Sequence, residues 1–197
     1  MKLYPDVSSA FIHIPKTGGT SIKYKMADIE WVDPEALVVS WNHKTYLDCS
    51  AEIPSGFLCF AVKRDPWDRA LSLYSWLKQL HVNPPFTNFP EFVSWVTTNW
   101  PDERPPLLKE QVDYLYDETK TTLLVPFVID FELLETAWNI FVSITMGRPD
   151  KMNLEVVNRS KHIPFDQFYK ANRTYKNLVS QDLFPNDCSM LGYSAPK

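Results

Sequence analysis

The sequence predicts a single α/β domain in which helices flank a central, mostly parallel sheet. Short apolar runs that are typical of buried strands occur at residues 10–14, 37–41, 57–62 and 124–129. The stretches between these runs are long enough for the crossover connections that parallel strands need. A chain of 197 residues also suits one domain with its own core.

The first run leads into the most informative segment of the chain. Residues 15–21 read Pro-Lys-Thr-Gly-Gly-Thr-Ser, which is typical of a turn that opens into a helix. Gly18 and Gly19 let backbone N–H groups approach an anion closely, and a helix N-terminus favours negative charge. Lys16 adds a mobile cation. This lysine precedes the glycines, whereas it follows them in a Walker A loop, so the pattern indicates an anion-binding turn of another kind.

The run at residues 57–62 leads into a second junction between a strand and a helix. Asp65 suits the N-cap of that helix, and Pro66 suits its first position. Ser72 is predicted to turn toward the flank of the helix, so that Arg64 and Ser72 converge on a second anion. The predicted buried stripe, at helical spacing, consists of Trp67, Ala70, Leu71, Tyr74 and Leu77.

Further helices are predicted along the rest of the chain. They lie near residues 90–98, 107–116 and 164–183, and one over residues 132–146 follows the fourth strand and stops at Gly147. The predicted apolar face of the helix at 132–146 consists of Leu133, Leu134, Ala137, Ile140, Phe141 and Ile144.

The composition excludes several classes of partner. A net charge of −4 argues against a broad nucleic-acid footprint. The longest apolar run, at residues 123–129, is far shorter than a membrane span. Cys49, Cys59 and Cys188 lack the spacing of a zinc site or a disulfide framework. We therefore expect neither nucleic acid nor membrane as a partner, and no metal.

Both anion motifs resemble those of the sulfotransferases that use 3′-phosphoadenosine 5′-phosphosulfate (PAPS), particularly the branch that sulfates carbohydrates. The turn at residues 15–21 is similar to the loop that holds the 5′-phosphosulfate in that family. The similarity to the family's 3′-phosphate segment rests on Arg64, Asp65, Pro66, Arg69, Ser72 and Tyr74. Shorter similarities are spread over the chain at residues 111–115, 131–134, 158–160 and 191–193. Asp130 departs from the family pattern, where a basic residue is common before the Phe-Glu pair.

The resemblance implies a P-loop-like sulfotransferase fold and an enzyme that moves a sulfuryl group from PAPS to a hydroxyl. The acceptor would be a carbohydrate or another small molecule, and 3′-phosphoadenosine 5′-phosphate (PAP) would be the product. Lys16 would stabilise charge on the leaving phosphate. The residues implied to bind PAPS are Lys16, Thr17, Gly18, Gly19, Thr20, Ser21, Arg64, Ser72 and Ser160.

The start of the sequence bears on location. Eukaryotic members of the family are typically anchored in the Golgi by an N-terminal membrane helix, and this sequence begins without an apolar segment. The expectation is a cytoplasmic enzyme of bacterial or viral origin, unless the chain is trimmed from a longer one. Oligomeric state is not indicated.

The acceptor hydroxyl also needs a general base, and His43 is the best candidate. It follows the strand predicted at residues 37–41, and open α/β sheets place ligands beyond the carboxyl ends of their strands. Imidazole titrates near neutral pH, and carbohydrate members of the family similarly carry a His just after this strand. His13 lies inside the first predicted strand and is predicted to be structural. The alternative bases are Glu30, Asp33 and Glu35.

Two other function classes stay open. The first is a binding module that kept a pocket for PAP without the chemistry, although the intact set of predicted site residues argues against it. The second is a small P-loop kinase, which would need a magnesium-binding Ser or Thr after its lysine and an Asp at the end of a neighbouring strand. Thr17 and Asp65 could imitate these residues, but the glycine spacing is wrong.

Overall fold

The computed structural model describes residues 2–4, 9–22, 43–80, 83–146 and 163–197. The chain divides into two compact units, and each is described by itself below. The first unit comprises residues 1–64 and 113–158, and the second comprises residues 65–112 and 159–197.

The helices are numbered in chain order. Helix α1 begins at Gly19 and is described as far as residue 22. The others are α2 (Tyr46–Cys49), α3 (Pro66–Leu80), α4 (Phe89–Asn99), α5 (Val112–Leu115), α6 (Leu134–Met146), α7 (Phe165–Ala171), α8 (Tyr175–Asn177) and α9 (Pro185–Met190). Tighter 3₁₀ turns lie at Ser50–Glu52, Pro106–Leu108 and Phe131–Leu133, and a π-helix lies at Leu178–Leu183.

The first unit contains a four-stranded sheet. Its strands are β1 (Lys2–Tyr4), β2 (Ser9–Ile12), β3 (Leu58–Lys63) and β4 (Phe127–Asp130), and they lie side by side in that order. Strands β2, β3 and β4 are parallel, and β1 runs antiparallel to β2. The predicted α/β class with a mostly parallel sheet is therefore confirmed for the described strands.

The two central strands, β2 and β3, are mostly apolar, as expected for buried strands of a parallel sheet. Every residue of β2 is buried, as are the four interior residues of β3. Phe11 lies opposite Phe60 in the register of β2 and β3, and their rings stack with centroids 4.9 Å apart. The core continues through Ile22, Val62, Ile129 and Trp138. The strand predicted at residues 37–41 lies outside the described residues.

The fourth strand begins later than the predicted range of 124–129. The backbone N–H groups of Leu124 and Val125 donate to the carbonyl oxygen of Leu115, over 2.8 and 3.3 Å. Pro126 has no N–H to donate. The sheet pairing therefore starts only at Phe127, the first residue of β4.

Helix α6 confirms only part of its predicted apolar face, since Leu134 and Ala137 pack against the core. Leu133 and Ile140 were expected in the core, but they are 61% and 53% exposed. Leu133 precedes the helix. Successive helical residues are about 100° apart, so Ile140 lies to the side of the stripe through Leu134 and Trp138. Trp138 is fully buried and packs in the core with Leu134.

In the second unit, helix α3 begins as predicted. One oxygen of the Asp65 side chain accepts hydrogen bonds from the backbone N–H groups of Trp67 and Asp68, at 2.9 and 3.1 Å. Pro66 occupies the first helical position, where its missing N–H costs nothing. The N-cap and the helix start are both confirmed.

Helix α3 is buried over a wider surface than its predicted stripe. Trp67, Ala70, Leu71 and Leu77 are buried, and Tyr74 is partly buried against the core of the second unit. Ser72 was expected to turn toward the flank, but it is fully buried. The reason is that Arg69 and Leu73 are also fully buried, so the helix is enclosed on more than one side.

The helix predicted at residues 107–116 is replaced by a 3₁₀ turn and the short helix α5. The carboxylate of Asp187 accepts hydrogen bonds from the backbone N–H groups of Gln111 and Val112, at 2.9 and 3.0 Å. A carboxylate bound to these two groups acts as the N-cap of α5. The helix therefore begins at Val112 rather than upstream.

The helix predicted at residues 164–183 is divided. Helix α7 ends at Ala171, and Asn172 is its C-cap in a non-helical conformation. The chain turns again into α8 and the π-helix that follows it. None of the described helices is long and apolar enough to cross a membrane.

Candidate functional site

Three segments that follow parallel strands lie at one edge of the sheet in the first unit. Lys16 follows β2, Arg64 follows β3, and Phe131 follows β4. Because these strands are parallel neighbours, their carboxyl ends meet at the same edge, which is where open α/β sheets bind ligands. We call residues 15–21 the lysine turn.

The lysine turn is held by its own hydrogen bonds. Thr17 is fully buried, and its hydroxyl donates to the carbonyl oxygen of Ile14 over 2.9 Å. The carbonyl oxygen of Gly18 accepts from the N–H of Ser21 over 3.0 Å, so Gly18 caps helix α1. The first N–H groups of a helix have no acceptor within it. This end of α1 therefore suits an anion.

Gly18 meets two requirements that only glycine satisfies. Its φ of +81° lies in the left-handed region. A Cβ at this position would lie 2.9 Å from a ring carbon of Phe131 and 3.1 Å from a methyl carbon of Leu134. The lysine turn thus packs directly on the segment that follows β4.

Lys16 is a strained and partly buried cation. Its φ of +68° is unusual for a residue with a side chain. Burial, and then the nearby charge of Arg64, lower the pKa of Lys16 from 10.5 to about 8. Both effects disfavour a positive charge, and the attraction of a bound anion would offset them.

Arg64 is tied to the lysine turn. Its Nη1 donates to the carbonyl oxygen of Lys16 over 3.0 Å, and its guanidinium carbon lies 4.4 Å from the centroid of the Phe131 ring. This is cation–π geometry. The sequence predicts that Arg64 and Ser72 bind the same 3′-phosphate. Because Ser72 belongs to the second unit, this joint binding stays a prediction.

The neighbouring ion pair accounts for the departure at Asp130. Lys63 and Asp130 are opposite each other in the register of β3 and β4, and Lys63 Nζ lies 3.0 Å from Asp130 Oδ1. A basic residue at position 130 would face Lys63 with like charge. The acidic residue therefore has a local structural role.

His43 lies against His13, beside the lysine turn. Nδ1 of His43 is 3.2 Å from the carbonyl oxygen of His13, and the two imidazole centroids are 4.6 Å apart. A carbonyl only accepts, so the contact requires the proton on Nδ1 of His43. In the neutral imidazole, Nε2 then carries the lone pair that a base needs.

His13 was predicted to be a structural residue inside a strand, but β2 ends at Ile12. The His13 ring is partly exposed and stacks on Phe11 with centroids 5.5 Å apart. It also covers Gly19, because a Cβ on Gly19 would lie 2.1 Å from two of its ring atoms. The sequence signal for this placement is a polar ring between two buried isoleucines, immediately before the lysine turn.

The other predicted site residues have various outcomes. Thr20 is partly exposed at the start of α1, and Ser21 is buried. Ser160 and the alternative bases Glu30, Asp33 and Glu35 lie outside the described residues. Within the described ranges, no group of three or more His, Cys, Asp and Glu side chains could hold a metal ion.

The geometry at this edge of the sheet therefore consists of a glycine-capped helix start, two adjacent cations and an imidazole whose Nδ1 contacts a carbonyl oxygen. The family resemblance depends on the residues of the two motifs and on their order. Comparison with protein-family models, with curated proteins and with solved structures found no match for this chain.

Proposed function

We propose that the protein is a sulfotransferase that moves a sulfuryl group from PAPS to a hydroxyl, with a carbohydrate as the first acceptor class. One observation carries the proposal. Lys16 and Arg64 are held together beside the capped start of α1, at the carboxyl edge of the parallel sheet. Two cations and a helix N-terminus suit a ligand with a dense negative charge.

Sulfuryl transfer resembles phosphoryl transfer in its demands. Both reactions need in-line positioning and stabilisation of charge on the leaving oxygen more than covalent help from the protein. The sulfuryl group carries less negative charge than a phosphoryl group, so a lysine and backbone N–H groups suffice where a kinase uses magnesium. In this proposal Lys16 stabilises the leaving 5′-phosphate.

His43 completes the reaction as the general base. The acceptor oxygen attacks sulfur and its proton passes to Nε2 of His43, while the bond between sulfur and the 5′-phosphate oxygen breaks. The electron pair of that bond stays on PAP. The contact between His43 Nδ1 and the His13 carbonyl supports this role, because it leaves Nε2 as the basic nitrogen.

Mass spectrometry of products tests the proposal. The protein is incubated with PAPS and a panel of glycans, phenols and small alcohols, and Lys16→Ala serves as the matched variant. Sulfated product from the wild type, strongly reduced in the variant, is the expected result. Tight PAP binding without any product would favour the binding module, and phosphorylated product from ATP with magnesium would favour a kinase. Either of these results overturns the proposal.

A further inference from the structure

We propose that His13 is a positioning residue that fixes His43 against the lysine turn. The inference rests on the proposed function, since it concerns the base of that reaction. It is independent of the family motifs, because His13 lies outside residues 15–21 and outside the 3′-phosphate segment.

The main chain of His13 sets the tautomer of His43. Its carbonyl oxygen lies 3.2 Å from Nδ1 of His43 and accepts a hydrogen bond from this nitrogen, which must carry the proton. This contact is made by the backbone, so the His13 side chain affects it only by holding the His43 ring within reach of the carbonyl. The φ of His43, +41°, is in the left-handed region, which is an uncommon backbone conformation for a residue with a side chain. Contacts from neighbouring residues have to offset the cost of this conformation.

The side chain of His13 supplies such a contact. Its ring contacts both Gly19 and His43: a Cβ on Gly19 would lie 2.1 Å from two of its ring atoms, and its centroid lies 4.6 Å from that of the His43 imidazole. Phe11 stacks on the His13 ring, with an angle of 20° between the two rings. The ring of His13 therefore contacts both the first residue of α1 and His43, and it restricts the position of the His43 ring.

Removal of the ring should displace the base without affecting the anion site. His13→Ala should lower kcat by about 10- to 100-fold, since a misplacement of roughly 1 Å can cost about 10²-fold in rate. KM for PAPS should change little. His13→Phe keeps a flat ring but has no ring nitrogen, and it should retain most of the rate. A rate for His13→Phe as low as that for His13→Ala would mean that the nitrogens themselves react, and would overturn a positioning role.

Gly19 provides a second test of the same contact. Gly19→Ala should reduce kcat because the new methyl group collides with the His13 ring. In a His13→Ala background the same substitution should cost much less, since the obstacle is gone. Purely additive effects of the two substitutions would contradict the proposal.

An NMR measurement separates this inference from the proposed function. The ¹⁵N shifts of His43 report its tautomer without any turnover. We expect the Nδ1–H tautomer to dominate in the wild type and in His13→Phe, and a mixture of tautomers in His13→Ala. Identical His43 spectra in all three proteins would overturn the positioning role even if the enzyme is a sulfotransferase. The expected spectra would uphold it even if no sulfated product is found.

Discussion

Arg64 donates a hydrogen bond to the carbonyl oxygen of Lys16 over 3.0 Å, which brings two cationic residues together in the same turn. The contact helps to hold Lys16 at a φ of +68°. The charge of Arg64 also adds to burial in lowering the pKa of Lys16 to about 8. The Lys16 amine therefore loses its proton near pH 8, and an anionic ligand should raise its pKa.

The first prediction is that affinity for PAP falls as pH rises above about 8. A bound phosphate favours the charged amine, so the pKa of Lys16 is higher in the complex than the value of about 8 in the free protein. Between those two values binding takes up a proton, and affinity should decline by up to about tenfold per pH unit. Calorimetric titration with PAP from about pH 7 upward measures the slope. Phosphate is already ionised over this range, since its second pKa is about 6.

Lys16→Arg is the matched control, because arginine stays charged throughout this range. Its affinity for PAP should not change with pH, and the same slope in both proteins would assign the titration to another group.

The effect of pH on the stability of the free protein has the opposite sign to its effect on PAP affinity. Between pH values of about 8 and 10.5 the unfolded chain holds the Lys16 proton more tightly than the folded protein does. This group therefore makes the folded protein more stable as pH rises through that window.

The second prediction concerns the preference for PAP over AMP. If Arg64 and Ser72 bind a 3′-phosphate, two charge-assisted hydrogen bonds of about 1.5–3 kcal/mol each should give PAP an advantage of about 10²-fold or more. Arg64→Ala should remove this preference. Lys63→Ala is the control, since Lys63 pairs with Asp130, and it should retain the preference. If Arg64→Ala weakens PAP and AMP equally, Arg64 acts only on the lysine turn.

The third prediction is that His43→Ala lowers turnover by about 10²- to 10⁴-fold, the usual contribution of a positioned general base. Affinity for PAP should stay within about a factor of three, because the proposal assigns His43 to the acceptor hydroxyl rather than to PAP. Single-turnover kinetics and calorimetry on the same variant measure both quantities. An unchanged rate would move the role to Glu30, Asp33 or Glu35.

Local patterns predicted the parts of the structure that local forces determine. The apolar runs of β2 and β3, the cap at Asp65 and the turn at Lys16 each depend on residues close in sequence. The other parts of the structure depend on contacts between residues that are distant in sequence, and local patterns do not show such contacts. Asp187 starts α5 from 75 and 76 positions away, and this shortens a helix that the local apolar spacing had extended.

The candidate site shows the same division. The glycines and the lysine of the turn could be identified from their order, since the chemistry of a short loop is written in consecutive residues. The contact of Arg64 with Lys16 spans 48 positions and that of His43 with His13 spans 30. Such pairs depend on strand register and on the path of the chain. The polar ring between Ile12 and Ile14 marks His13 in the sequence, but only the fold brings it into contact with His43.

The fourth prediction compares two glycines with similar backbone angles. Gly18 has a φ of +81° with Phe131 and Leu134 close to the position of a Cβ, whereas Gly56 has a φ of +86° and nothing within 4 Å. Gly56→Ala should cost only the left-handed conformation, about 1–2 kcal/mol. Gly18→Ala should cost a further 1–3 kcal/mol or so from overpacking. Urea denaturation of both variants measures the difference, and equal losses would mean that the Phe131 ring moves aside freely.

The last prediction concerns a buried ion pair in the second unit. Arg69 and Asp187 are both fully buried, with Arg69 Nη1 3.6 Å from Asp187 Oδ2. Arg69 also donates to the carbonyl oxygen of Lys109 over 2.8 Å, and its guanidinium carbon lies 4.6 Å from the centroid of the Phe184 ring. Asp187 accepts hydrogen bonds from two backbone N–H groups at the start of α5. One carboxylate thus serves both a buried cation and a helix terminus.

Asp187→Ala should therefore destabilise the protein by about 3–5 kcal/mol, since it leaves a buried arginine without its carboxylate. The matched control is Asp182→Ala, because the Asp182 side chain is exposed in the same unit and its removal should change stability by less than about 0.5 kcal/mol. Urea denaturation followed by circular dichroism gives both values. A loss below about 1 kcal/mol for Asp187→Ala would mean that water or another side chain takes over the Arg69 charge, and that α5 does not need its carboxylate cap.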